Sequence, residues 1–210
     1  MPYFIAIAGA SGSGKTWLTN YLARQLRATV VSLDSYYRDL SALDLALRAQ
    51  QNFDAPEALD WELILQQLET LARGMAAERP VYDFTTHTRT TRTERVEPSG
   101  FIIVEGLFAL YNQRVRELCG TKVFMSVDDG VSLSRRLERD MRERGRTRES
   151  VLAQYEATVR PMYERYVLPT RAFADLVLSG TQPAEKLAAA VMAHIEASRH
   201  RCFFSQLSTP

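Results

Sequence analysis

Residues 9–16 read GASGSGKT, directly after the apolar run YFIAIA (3–8) and directly before helical apolar spacing at Leu18, Tyr21, Leu22 and Leu26. No other stretch constrains the fold as tightly. The pattern G-x-x-x-x-G-K-[ST] between a strand and a helix calls for a buried strand whose carboxyl end opens into a glycine turn. Such a turn points several backbone N–H groups inward, and the helix that follows adds its positive end. A glycine–serine run alone could be a flexible turn. With a lysine, a hydroxyl and both flanking elements present, the reading is a nucleoside triphosphate site built from Gly9, Ala10, Ser11, Gly12, Ser13, Gly14, Lys15 and Thr16. Lys15 can bridge the terminal phosphates, and the Thr16 hydroxyl can ligate Mg²⁺.

The rest of the chain agrees with an α/β fold. Apolar, β-branched runs at 3–8, 29–33, 101–106, 122–127 and 175–179 read as strands buried on both faces. Helical spacing fills 15–27, 57–73, 130–144, 148–166 and 183–198, with Pro56 and Glu57 as the start of the second helix. Alternating strands and helices predict a three-layer sandwich, a parallel sheet covered by helices on both faces. One segment, PVYDFTTHTRTTRTERVEP (80–98), alternates polar with apolar or aromatic residues and reads as a hairpin excursion. The expectation is one domain over 1–198 and a C-terminal tail, 199–210, with no clear period and no assigned role.

Composition narrows the classes. A formal net charge of +1 over 210 residues gives no global field for nucleic acid or an anionic membrane. Two cysteines, Cys119 and Cys202, make no disulfide framework. The N-terminal apolar run is too short for a signal-peptide core, and no stretch reaches membrane-spanning length, so a cytoplasmic setting is expected.

Three further features carry chemistry. Glu105 ends the strand FIIVE, where a carboxylate is costly unless it meets a cation or donors, so it is either a Mg²⁺ ligand or a capping acid. Asp34 ends VVSLD, near the place of a terminal phosphate; it either accepts a proton from an attacking hydroxyl or starts an Asx-turn. The run RRLERDMRERGR (135–146) uses only arginine as its base. It reads as a phosphate-clamping lid hinged near Gly145, or as a solvated face held by i,i+4 pairs.

Together these residues resemble the uridine kinases (uridine–cytidine kinases), a family with the P-loop NTPase fold and a five-stranded parallel core sheet. The resemblance runs from about 3 to 180 through GASGSGKT, LDSYYRDL, NFDAPEALD, PVYDFTTHTR, VEGLFAL, RRLERDMRERGR and AQYEATVRPMYERYVLPTRAFAD. It implies transfer of the γ-phosphoryl group of ATP, or of GTP, to the 5′-hydroxyl of uridine or cytidine, with Mg²⁺. Asp34 is then the base, with Lys15 and the lid residues Arg139 and Arg144 on the phosphates. Asp54 holds the ribose diol with Arg136; Tyr82 and Phe84, with Phe53, wall the pyrimidine; His87 reads its edge; and Tyr37, Arg146 and Gln154 line the same subsite. The resemblance also implies a homo-oligomer, a tetramer. Where the family often has Arg-Gly after the last strand, this chain has Ser179-Gly180, which leaves the choice of ATP or GTP open. Two other readings stand beside it: a kinase for another small molecule, such as ribulose 5-phosphate or pantothenate, and a nucleotide-binding protein without catalysis.

Overall fold

The computed structural model describes residues 1–207; the side chains of Arg144 and of residues 200–207 lie outside that description. The chain begins with β1 (Tyr3–Gly9), α1 (Lys15–Leu26) and β2 (Thr29–Ser32). Two helices follow, α2 (Leu45–Ala49) and α3 (Trp61–Ala72), and then the hairpin strands β3 (Ala77–Asp83) and β4 (Thr88–Val96). The second half contains β5 (Phe101–Glu105), α4 (Gln113–Leu118), β6 (Cys119–Ser126), α5 (Asp129–Arg144), α6 (Arg148–Gln154), α7 (Arg160–Met162), β7 (Leu176–Ser179) and α8 (Ala184–Leu207).

Five strands form one parallel sheet in the order β2-β5-β1-β6-β7, while β3 and β4 pair antiparallel as a separate ribbon. Strand β1 is central because all but its first residue are buried and apolar or glycine, as a strand covered on both faces requires. The sheet separates two apolar layers. Phe4, Ala6, Ile64, Leu68, Ile102 and Phe124 belong to one, and Ile5, Ile7, Leu18, Leu22, Ile103 and Val191 to the other. Each fully buried Leu or Ile contributes about 1.5–3 kcal/mol relative to exposure. The crossover from β1 runs to β2 on one side and that from β5 runs past β1 to β6 on the other, so the crevice at the carboxyl end of β1 is the topological switch point where open α/β sheets bind ligands.

Several expected boundaries shift. The helix expected over 57–73 starts at Trp61, where the Asp60 carboxylate accepts a 3.1 Å bond from the Leu63 N–H; Pro56–Ala58 forms a separate 3₁₀ turn. Asp60, and not Pro56 or Glu57, therefore starts the helix. The helix expected over 148–166 is interrupted by π-helical turns at Tyr155–Val159 and Tyr163–Val167. The expected tail at 199–210 overlaps α8, which continues to Leu207. Among the described residues, no helix is long and apolar enough to cross a membrane.

Candidate active site

The loop between β1 and α1 behaves as its composition requires. Gly12 takes φ 78°, and a Cβ there would lie 2.7 Å from the Ser132 carbonyl oxygen, so only glycine fits against α5. Helix α1 begins with no side-chain cap and no acidic residue in its first turn. Its N–H groups and the positive end of its dipole are thereby left for an anion. Ser11, Gly12, Gly14, Lys15 and Thr16 line a cavity of about 1310 Å³. Gly9, Ala10 and Ser13, also expected at the triphosphate, are not among the lining residues. Ser13 is fully buried behind the loop, and the Ala10 carbonyl accepts a 2.8 Å bond from Lys15 Nζ.

Two carboxyl groups share this end of the cavity. Glu105, 6% exposed at the tip of β5, accepts a 2.7 Å bond from the Ser32 hydroxyl. Burial and then the Asp34 charge push its carboxyl above the ordinary range; Lys15 and hydrogen bonds from Ser32 and Thr16 pull it back. Burial lowers the Lys15 ammonium, against the pull of Glu105 and Asp34. Asp34 is carried there by a 3₁₀ turn, Leu33–Tyr36, that follows β2 directly. The expected cluster of lysine, hydroxyl and two carboxylates is therefore formed. The Thr16 hydroxyl and the two carboxylates offer oxygen donors, as a hard divalent cation prefers, and burial makes the Glu105 anion costly without one.

The same cavity extends to an aromatic end. Tyr37 meets Phe53 edge-on at 5.5 Å and Tyr82 at 5.3 Å, Tyr82 meets Phe84 at 5.1 Å, and Phe53 stacks on His87 at 5.4 Å. The alternation of Tyr82 and Phe84 reflects a strand that ends in a turn. Asp83 accepts from the Thr85 N–H and from the Thr85 and Thr86 hydroxyls, bonds that hold its carboxyl down to about 2. His87 leaves that turn at φ 52°, a left-handed conformation uncommon for a non-glycine residue. The buried Tyr82 hydroxyl has no hydrogen-bond partner among the described residues, and burial raises the phenol to about 12.

Asp54, 8% exposed, and Gln154 line the same cavity with Arg136 and Arg146. Arg136 donates to Gln154 Oε1 at 3.1 Å and to Ser11 Oγ at 3.2 Å, and Arg146 also donates to Gln154 Oε1. Arg139 donates to Ser11 Oγ at 3.4 Å. Arg144, expected beside it, has its side chain outside the described residues. Gly145 caps α5 in the left-handed region, φ 62°, its N–H donating to the Asp140 carbonyl. Every expected site residue except Gly9, Ala10, Ser13 and Arg144 thus lines one cavity.

Three contributors had no role assigned from the sequence. Thr158 donates to Asp54 Oδ2 at 3.0 Å across 104 residues of chain. Arg89 of β4 donates to the Tyr37 carbonyl at 2.7 Å and pairs with Asp60, tying the hairpin to the turn that carries Asp34. Arg135 donates to the carbonyls of Gly12 at 3.2 Å and Gly180 at 3.0 Å. Arg89 stands within the hairpin motif and was open to detection there, whereas the Thr158 contact has no local signal.

The chain is 43% identical over 181 residues to the uridine kinase of Lactobacillus helveticus, covering 84% of this chain and 86% of that one. It is 44% identical over 181 residues to the uridine kinase of Lactobacillus johnsonii, with the same coverage. Among solved structures, phosphoribulokinase from Rhodobacter spheroides superimposes with a TM-score of 0.64 at 16% identity, over 85% of this chain and 70% of that one. That likeness carries the fold alone. Residues 4–186 match the phosphoribulokinase / uridine kinase family, and this chain belongs to it.

Proposed function

We propose that this chain transfers the γ-phosphoryl group of ATP to the 5′-hydroxyl of uridine, and of cytidine, to give the nucleoside 5′-monophosphate and ADP in pyrimidine salvage. The observation that carries the reading is one cavity with a phosphate loop at one end, five aromatic or imidazole rings at the other, and Asp34 within electrostatic reach of Lys15 and Glu105. Its volume exceeds the roughly 300–1,000 Å³ usual for one small ligand and suits two substrates held together. The uridine kinases that cover most of this chain support the acceptor.

In this reading the 5′-oxygen bonds to the γ-phosphorus as the bond from that phosphorus to the β–γ bridging oxygen breaks. The 5′-proton passes to an Asp34 carboxylate oxygen. Lys15 and the loop N–H groups hold the donor phosphates, and Arg139 with Arg144 covers the transferring group and excludes water, so the catalysis is largely positioning and charge stabilisation. The Thr16 hydroxyl and Glu105 would hold Mg²⁺, which when bound neutralises charge on the β- and γ-phosphates. Asp54 accepts from the ribose hydroxyls opposite Arg136, and a deoxyribose leaves this buried acceptor unpaired. His87 meets O4 of uracil or N4 of cytosine by changing tautomer. A sugar-phosphate acceptor would need a further cationic subsite where Tyr37, Phe53, Tyr82, Phe84 and His87 stand.

Asp34→Asn tests the assignment. The expected result is a kcat about 10²–10⁴-fold lower with uridine KM nearly unchanged. Turnover close to wild type would remove Asp34 from the base role.

A further inference from the structure

Asp140 has no exposed surface and does not line the cavity, yet it holds the arginines that do. Its Oδ1 accepts from Arg139 Nε at 2.9 Å and lies 2.8 Å from Arg139 Nη2. Its Oδ2 lies 3.5 Å from Arg136 Nε, one helical turn back. From this shared carboxylate both guanidinium groups reach the same loop atom, Ser11 Oγ. The Asp140 carbonyl also accepts from the Arg146 N–H at 3.2 Å. Side chain and backbone of one residue thus meet three arginines of the lid.

Two guanidinium groups this close repel one another, and the separation between them is set by the buried anion they share. The other acids of the run act differently. Glu138 and Glu143 pair with Arg142 through exposed side chains, where ion pairs are screened and weakly held, although Glu143 also lines the cavity.

We propose that Asp140 is a positioning residue for phosphoryl transfer: its carboxylate fixes Arg136 and Arg139 relative to each other and so couples the nucleoside subsite to the phosphate subsite. The inference rests on the reading above, in which Arg136 faces the ribose and Arg139 the phosphates. Asp140→Asn keeps the shape and one acceptor but removes the charge, leaving two guanidinium groups to separate. Uridine binding then weakens through Arg136, and turnover falls through Arg139. A conventional structural acid would lower only the folded or active fraction.

The test measures kcat and KM for uridine and for 2′-deoxyuridine in wild type, Asp140→Asn, Arg136→Ala, Arg139→Ala and the two double variants, with melting temperatures. Asp140→Asn should lower kcat/KM for uridine about 10–100-fold, the usual cost of losing a group that orients a functional side chain. Its kcat cost should largely vanish in the Arg139→Ala background and its effect on binding in the Arg136→Ala background, because each deletion removes the contact through which that effect runs. The ratio of kcat/KM for uridine to that for deoxyuridine should also fall, a quantity that loss of active fraction leaves untouched. Additive losses in both backgrounds with an unchanged ratio would overturn the proposal. If Asp140→Asn fails to fold, Asp140→Glu keeps the charge and lengthens the arm. A lowered ratio in that variant supports the proposal, and a wild-type ratio overturns it. A wild-type enzyme that does not discriminate against deoxyuridine would refute the diol reading instead; the Asp140–Arg139 cycle in kcat would then decide the role of Asp140.

Discussion

His87→Gly is expected to weaken nucleoside binding strongly while leaving the fold nearly intact, and the two effects follow from different parts of the same residue. The backbone of His87 sits at φ 52°, where a side chain costs about 1–2 kcal/mol and glycine costs nothing. Its ring stacks on Phe53 with centroids 5.4 Å apart and planes 17° from parallel, a pair worth about 0.5–1.5 kcal/mol. Glycine also gives the unfolded chain more freedom, about 0.5–1 kcal/mol. Relief and losses nearly cancel, leaving at most about 1.5 kcal/mol of destabilisation, a fall in melting temperature of no more than about 6 °C for a chain of this size. The uracil, however, loses the hydrogen-bond partner of its edge. A buried polar group left unpaired costs about 1–3 kcal/mol, which translates into a uridine KM raised about 5- to 150-fold. With saturating uridine, kcat should change little, since His87 stands at the base and not at the phosphates. Steady-state ADP release across a uridine titration, beside a thermal melt, reads both quantities. A KM within twofold of wild type would show that His87 only packs the hairpin, and a melting temperature lowered by well over 10 °C would make it a structural clamp.

Two other perturbations test separate parts of the site. Tyr82→Phe removes a buried hydroxyl that has no partner among the described residues, so the free protein should hold or gain stability with uridine KM little changed; a clearly destabilised variant would refute an unpaired hydroxyl. Glu105→Gln should abolish most turnover yet stabilise the free protein at neutral pH. The folded-state carboxyl of Glu105 is raised, so its contribution to stability is present below the ordinary glutamate value and lost as pH rises through the raised one. The stability gain of the variant should therefore shrink as pH falls toward about 4, and a gain independent of pH would contradict the burial argument.

The parts of this molecule that could be read from its sequence are those whose chemistry is local. The loop at 9–16 announces itself because turn, helix start, lysine and hydroxyl are contiguous, and Asp34 and Glu105 because a carboxylate closes an apolar strand. The hairpin was legible through alternation. The start of α3 is legible too, but at Asp60 and not at Pro56 and Glu57: aspartate is a preferred N-cap type, and its carboxylate accepts locally from the Leu63 N–H. The π-helical turns at 155–167 share the apolar spacing of an ordinary helix, so periodicity passes over them. Thr158 and Asp140 act through partners fixed by folding, one across 104 residues and the other within a charge run whose solvated face looks the same in sequence. The loop itself divides in a way spacing cannot show, with Ser11 and Gly12 facing the cavity and Ser13 buried behind it.

The central claim is that this chain phosphorylates a pyrimidine ribonucleoside, and ADP release from Mg·ATP by the purified protein tests it most directly. The acceptors are uridine, cytidine, 2′-deoxyuridine, adenosine, pantothenate, ribulose 5-phosphate and none. The expected result is strong acceleration by uridine and cytidine, a marked loss with deoxyuridine, and little above background with the others. Acceleration by pantothenate or ribulose 5-phosphate alone, or by no acceptor, would contradict it.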